Sequence, residues 1–173
     1  MIRMSVFAAG FVALVALGSV PAQDKADEVT LRVVKYDGLK EEILKNRGKV
    51  VLVDFWADFC KPCKEAFPHT VELHRKFAPK GLAVISVALD SLEEEPQQVK
   101  NNVLRFLKKQ NATFTNLLLD ESDEFWQKKF RMDGPPCIYV FSRQGKWTQL
   151  SAQELDDNPK GLDRLVEELL AEK

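Results

Sequence analysis

Apolar and polar residues change rhythm repeatedly along this chain, and each change marks an element. The run KVVLVDFWA (49–57) is apolar at nearly every position and rich in β-branched residues, the mark of a strand buried on both faces. GLAVISVALD (81–90) is a second run of that kind. Between them, residues 60–77 set Phe67, Val71, Leu73 and Phe77 among charged neighbours, so a helix is expected from Cys60 to about Phe77. Strand, helix and strand in that order predict a right-handed parallel crossover. Upstream, VTLRVVKY (29–36) alternates as a strand, and GLKEEILKN (38–46) reads as a short helix ending near Gly48.

Downstream, Val99, Val103, Leu104, Phe106 and Leu107 recur at roughly helical spacing, and TFTNLLLD (113–120) reads as a short strand. SDEFWQKKF (122–130) opens with cap-type residues and predicts a helical turn or two. CIYVFSRQGKWTQL (137–150) reads as a hairpin turning at Arg143, Gln144 and Gly145. In the final segment Leu162, Leu165, Val166, Leu169 and Leu170 form one apolar helical face. The expected fold class is α/β, with a mixed central sheet covered by helices on both faces.

The first 22 residues follow another rule. Arg3 precedes an uncharged run, SVFAAGFVALVALGSV (5–20), and Val20-Pro21-Ala22 offers a peptidase site. This is the pattern of a secretory signal peptide over 1–22, followed by a polar linker over 23–28 and a domain over 29–173. The apolar run is short for a membrane span, which needs about 20 residues; an uncleaved N-terminal anchor is the alternative. Either way the domain is expected outside the cytoplasm, periplasmic or extracellular, where disulfides persist.

Composition adds one exclusion. The 173 residues carry a formal net charge of −1, so there is no basic excess to neutralise phosphates, and a nucleic-acid partner is not expected.

Three cysteines remain, Cys60, Cys63 and Cys137. A secreted scaffold stapled by disulfides carries four, six or eight at wider spacing. Here the pair is tight and one thiol is left over, which leaves a redox centre, a thiol-based copper- or zinc-binding or metal-delivery module, or an inert disulfide. Cys60 falls where a buried strand gives way to a helix, so unpaired N–H groups and the dipole favour its thiolate, and Lys61 adds positive charge. Cys63, one helical turn on, can bond to it, as a reversible dithiol requires. Against metal, a stable zinc site wants four ligands, and His69 need not face the thiols. Lys64 excludes a Cys-x-x-Cys-His haem site. His69 and His74 read as solvated surface. Cys137 reads as a small buried hydrophobe, or as a third thiol able to trap an active-site cysteine.

VVLVDFWADFCKPCKEAFP (50–68) and GPPCIYVFSRQGK (134–146) resemble the thioredoxin superfamily, in its secreted TlpA/ResA-like branch. The segment 99–120 is similar to that branch's helix–strand insertion. The resemblance implies a thioredoxin fold and a thiol–disulfide oxidoreductase, with Cys60 attacking and Cys63 resolving. It implies that Asp54 handles the proton of the resolving thiol and that Pro136 is a cis proline facing the dithiol. Trp56, Lys61, Pro62 and Pro135 would border the substrate. Protein thiols or disulfides would be the substrates, a membrane protein the electron donor, and no cofactor beyond the disulfide and no metal would be needed. Pro135 departs from the family pattern. Lacking an N–H, it removes one backbone bond to a substrate strand and shifts recognition toward side chains.

Overall fold

The computed structural model describes residues 28–172, so the expected signal segment and all but the last residue of the expected linker lie outside the described residues. In chain order the elements are β1 (Arg32–Val34), α1 (Tyr36–Lys45), β2 (Val50–Trp56), α2 (Lys61–Phe77), β3 (Leu82–Ala88), α3 (Pro96–Gln110), β4 (Thr115–Leu119), α4 (Asp123–Phe130), β5 (Cys137–Phe141), β6 (Trp147–Ser151), α5 (Ala152–Asp157) and α6 (Gly161–Ala171). A short 3₁₀ turn, Ala78–Lys80, closes α2.

The sheet order is β1-β4-β3-β2-β5-β6. β1, β4, β3 and β2 run parallel, and β5 and β6 return antiparallel. β2 is buried at all seven positions, as its unbroken apolar run requires of a strand with neighbours on both edges and helices on both faces. Its alternate residues divide the core. Val50, Leu52 and Trp56 face a cluster that includes Phe67, Phe77, Val103, Leu107, Leu162 and Val166, from α2, α3 and α6. Val51, Val53 and Phe55 face the other cluster, with Leu39 of α1 and Trp126 of α4.

The structure differs from the sequence pattern at three elements. The strand expected over 29–36 shrinks to three residues, because β1 is an edge strand paired only through Arg32, Val33 and Val34. Tyr36 already begins α1. α3 starts at Pro96, ahead of the first apolar position at Val99; proline at the first turn costs no helical hydrogen bond. α5 was not foreshadowed by periodicity. Ser151 and Glu154 form a capping box that starts it, a signal carried by two polar residues rather than by an apolar face.

Candidate active site

β2 delivers its chain to a tight turn before α2. Ala57 C=O accepts from Cys60 N–H at 3.1 Å, and the turn is held from two sides. Both carboxylate oxygens of Asp90, just past β3, accept from Asp58 N–H at 3.0 Å. Burial raises the Asp90 pKa above its ordinary value, while the Asp58 N–H pulls it back. On the other side Lys64 Nζ donates to Asp58 C=O at 3.0 Å and pairs with its carboxylate at 2.9 Å. Asp90 and Lys64 are positioning residues that the motif reading missed. The acid ending VALD, directly after a buried strand, was the available signal for Asp90.

Cys60 is the N-cap of α2, and its Sγ accepts from Cys63 N–H at 3.3 Å. The two cysteines are joined in a disulfide with Cα atoms 5.3 Å apart. Both are buried, Cys63 more deeply than Cys60. Pro62 lies in the first turn of α2, where its missing N–H is not needed. Pro68 lies inside the helix and leaves the Lys64 carbonyl without its usual donor. From across the sheet, Pro135 C=O stands 3.6 Å from Cys60 Sγ, and the Pro135–Pro136 peptide is cis.

Asp54 is buried on the same side of the sheet, where its Oδ2 accepts from Thr70 Oγ1 at 2.6 Å. Thr70 lies two helical turns beyond Cys63 and so on the same face of α2. Burial pushes the Asp54 pKa up to about 6, against the opposing pull of the Thr70 hydroxyl and the His69 charge.

The remaining expected site residues differ in exposure and in the sheet face they occupy. Trp56 is fully enclosed in the cluster that holds Cys60 and Cys63, with ring centroids 5.2 Å from Phe67 and 4.8 Å from Phe106. It faces α2 and α3 because it shares the parity of Leu52 and Asp54 along β2. The exposed aromatic beside the disulfide is Phe59, 74% accessible. Lys61 extends into solvent and meets Glu65 at 3.7 Å, so its charge reaches Cys60 only through water.

Cys137 lies on the sheet face opposite the dithiol. It pairs in register with Phe55 and packs with Trp126, Met132 and Tyr139 on the opposite sheet face. Gln149 Nε2 donates to its sulfur at 3.4 Å, and burial raises its pKa. The histidines are not simply solvated. His69 Nε2 pairs with Asp163 at 2.9 Å. The ring of His74 packs edge-on against Phe114 with a buried Nδ1, and burial lowers its pKa. Among the described residues no group of three His, Cys, Asp or Glu side chains is arranged to hold a metal.

A cavity of about 260 Å³ opens on the Cys137 side, lined by Leu39, Ile43, Val53, Phe130 and other apolar groups. The sheet separates it from the disulfide. Among the described residues no helix is long and apolar enough to cross a membrane.

A disulfide seated at the start of a helix, at the end of the central strand of a mixed sheet, defines a thioredoxin-like protein with a Cys-x-x-Cys pair. By sequence the chain belongs to the AhpC/TSA family, whose profile matches residues 22–149. It is 32% identical over 117 residues to the thiol-disulfide oxidoreductase ResA of Bacillus thuringiensis subsp. konkukian, covering 68% of this chain and 62% of ResA. It is 40% identical over 108 residues to the thioredoxin-like protein YneN of Bacillus subtilis, covering 62% of this chain and 59% of YneN. The chain thus spans about three fifths of the length of these relatives. Among solved structures, a thiol-disulfide isomerase of Corynebacterium glutamicum superposes with a TM-score of 0.63 at 25% identity, over 87% of this chain and 99% of that one. A Chlorobium tepidum protein described as a thiol:disulfide interchange protein DsbE gives 0.61 at 25% identity, over 75% and 85%.

Proposed function

We propose that this protein is an extracytoplasmic thiol–disulfide oxidoreductase that reduces disulfides in other proteins. One observation carries the reading: Cys60 Sγ caps α2, accepts from Cys63 N–H and is bonded to Cys63. In the dithiol form the same N–H and the positive helix end stabilise a Cys60 thiolate, the nucleophile of exchange. That thiolate attacks one sulfur of the substrate disulfide. The substrate S–S bond breaks, a mixed disulfide forms, and the departing sulfur takes up a proton. Cys63 then loses its proton, attacks Cys60 Sγ and expels the second substrate sulfur. Two electrons have passed, leaving the substrate as a dithiol and Cys60–Cys63 as a disulfide.

Asp54 takes the proton of Cys63 in this scheme. With a pKa of about 6 it is ionised at neutral pH yet more basic than an ordinary aspartate. No cofactor beyond the disulfide takes part, and a membrane protein returns the electrons. The N-terminal pattern of residues 1–22 supports the location, and the names of ResA and the DsbE-like neighbour support the chemistry.

Equilibration of the Cys60–Cys63 couple with glutathione or dithiothreitol tests direction. A potential at or below about −250 mV, near that of thioredoxin, is expected of a reductant. A value between roughly −120 and −180 mV belongs to an oxidant or isomerase and overturns the assigned direction.

A further inference from the structure

A cleft of about 700 Å³ runs between the turn that carries Cys60 and one stripe of α3. Phe59 and Lys61, the two sequence neighbours of Cys60, line it at one end; Arg105, Phe106 and Lys109 line it from α3. Asn102, Arg105, Phe106 and Lys109 are spaced at i, i+3, i+4 and i+7, so they form one continuous flank of the helix. The cleft holds four cations, with Lys64, against two carboxylates, Asp58 and Glu65. Both carboxylates are already engaged, Asp58 by Lys64 at 2.9 Å and Glu65 by Lys61 at 3.7 Å. Arg105 bonds only the Asn102 side-chain oxygen, at 3.1 Å, and Lys109 has no carboxylate partner among the described residues. A chain of net charge −1 therefore concentrates uncompensated positive charge in the cleft lined by both sequence neighbours of its exchanging cysteine. Phe59 adds an apolar platform at the same mouth, 74% accessible.

We propose that this cleft selects protein substrates whose disulfide is flanked by an acidic segment, with an apolar side chain on Phe59 and carboxylates on Arg105 and Lys109. The inference rests on the thiol–disulfide reading above and adds a substrate class to it. Pro135 strengthens the case: without an N–H to bind a substrate strand, recognition falls more heavily on side chains. Two charges at the rim of an exposed site act mainly on encounter rate, and the effect fades with salt.

The test uses the reduced full chain and two synthetic peptide disulfides, alike except that one carries Asp and Glu beside its cysteines where the other carries Asn and Gln. At low salt the acidic peptide should exchange about tenfold faster, with the ratio approaching one at about 0.5 M salt, where the screening length is only a few ångströms. In R105E/K109E the ratio should fall to one or below. K128E/K146E, the same change in net charge at exposed sites away from the cleft, should keep the preference. Thermal unfolding of each variant confirms that it folds. Equal rates for both peptides in the parent, or a preference that survives R105E/K109E, overturn the acidic-substrate assignment alone. Failure of both peptides to exchange with the parent overturns the oxidoreductase reading beneath it.

Discussion

Asp54 sits in the core, where among the described residues its side chain has a single hydrogen-bond donor, the Thr70 hydroxyl. Its pKa of about 6 stands against an ordinary value of 3.8. A carboxyl whose folded pKa is raised favours the native state while protonated. Its full contribution is therefore present below about pH 3.8, declines as pH rises, and is gone above about pH 6. At neutral pH the buried carboxylate destabilises the fold by up to about 3 kcal/mol relative to the protonated form, at 1.36 kcal/mol per pH unit. Asp54→Asn keeps the size and an acceptor for Thr70 but removes the ionisation. In the oxidised protein, Asp54→Asn should raise stability at pH 7.5 by on the order of 2 kcal/mol and leave it nearly unchanged at pH 4. Urea unfolding of both proteins at the two pH values measures it. A difference that does not change with pH would mean that Asp54 keeps an ordinary pKa.

At the scale of elements, Gly38 shows how tightly β1 and α1 are joined. A Cβ at Gly38 would stand 2.9 Å from Val34 Cβ, a contact with no room to rotate away. Alanine in a helix interior normally gains up to about 1 kcal/mol over glycine. Here overpacking should win, with a loss of about 1–2 kcal/mol for Gly38→Ala in denaturant unfolding; a stabilised variant would show that β1 yields freely. The same junction explains what the sequence made legible and what it did not. β2, β3, α2 and α6 carry long periodic or unbroken apolar runs, and their positions followed from those runs. β1 has only three paired residues, and its alternation extended past its partner β4, so pattern alone overran its end. The site divides likewise. Cys60 as cap and Cys63 one turn on were readable from local spacing. The enclosure of Trp56 was not, because it depends on Phe106 arriving from α3, fifty residues away. Asp90 belongs to that second group: its role exists only where the end of β3 lies beside the turn after β2.

Across the whole molecule, the sheet acts as a partition between two cores. Parity along β2 and β5 sends Asp54 and Ile138 toward α2, and Phe55 and Cys137 toward α1 and α4. All three cysteines lie near one end of the sheet, yet only two share a side. Joining Cys137 to either active-site sulfur would require its side chain to pass through the plane of the sheet. That means breaking the β2–β5 ladder, which central position and burial make one of the last parts to open. Native oxidised protein should therefore yield the Cys60–Cys63 linkage alone on peptide mass mapping, with Cys137 recovered as a free thiol. Its raised pKa and 1% accessibility add that alkylation of Cys137 should be slow in native buffer and accelerate steeply across the urea transition, tracking global unfolding. Recovery of a Cys137 disulfide to Cys60 or Cys63 under native conditions would break the partition. So would alkylation of Cys137 well below the transition, because a thiol reached by local opening would place the flexibility of the sheet beside the redox pair and return Cys137 to its chemistry.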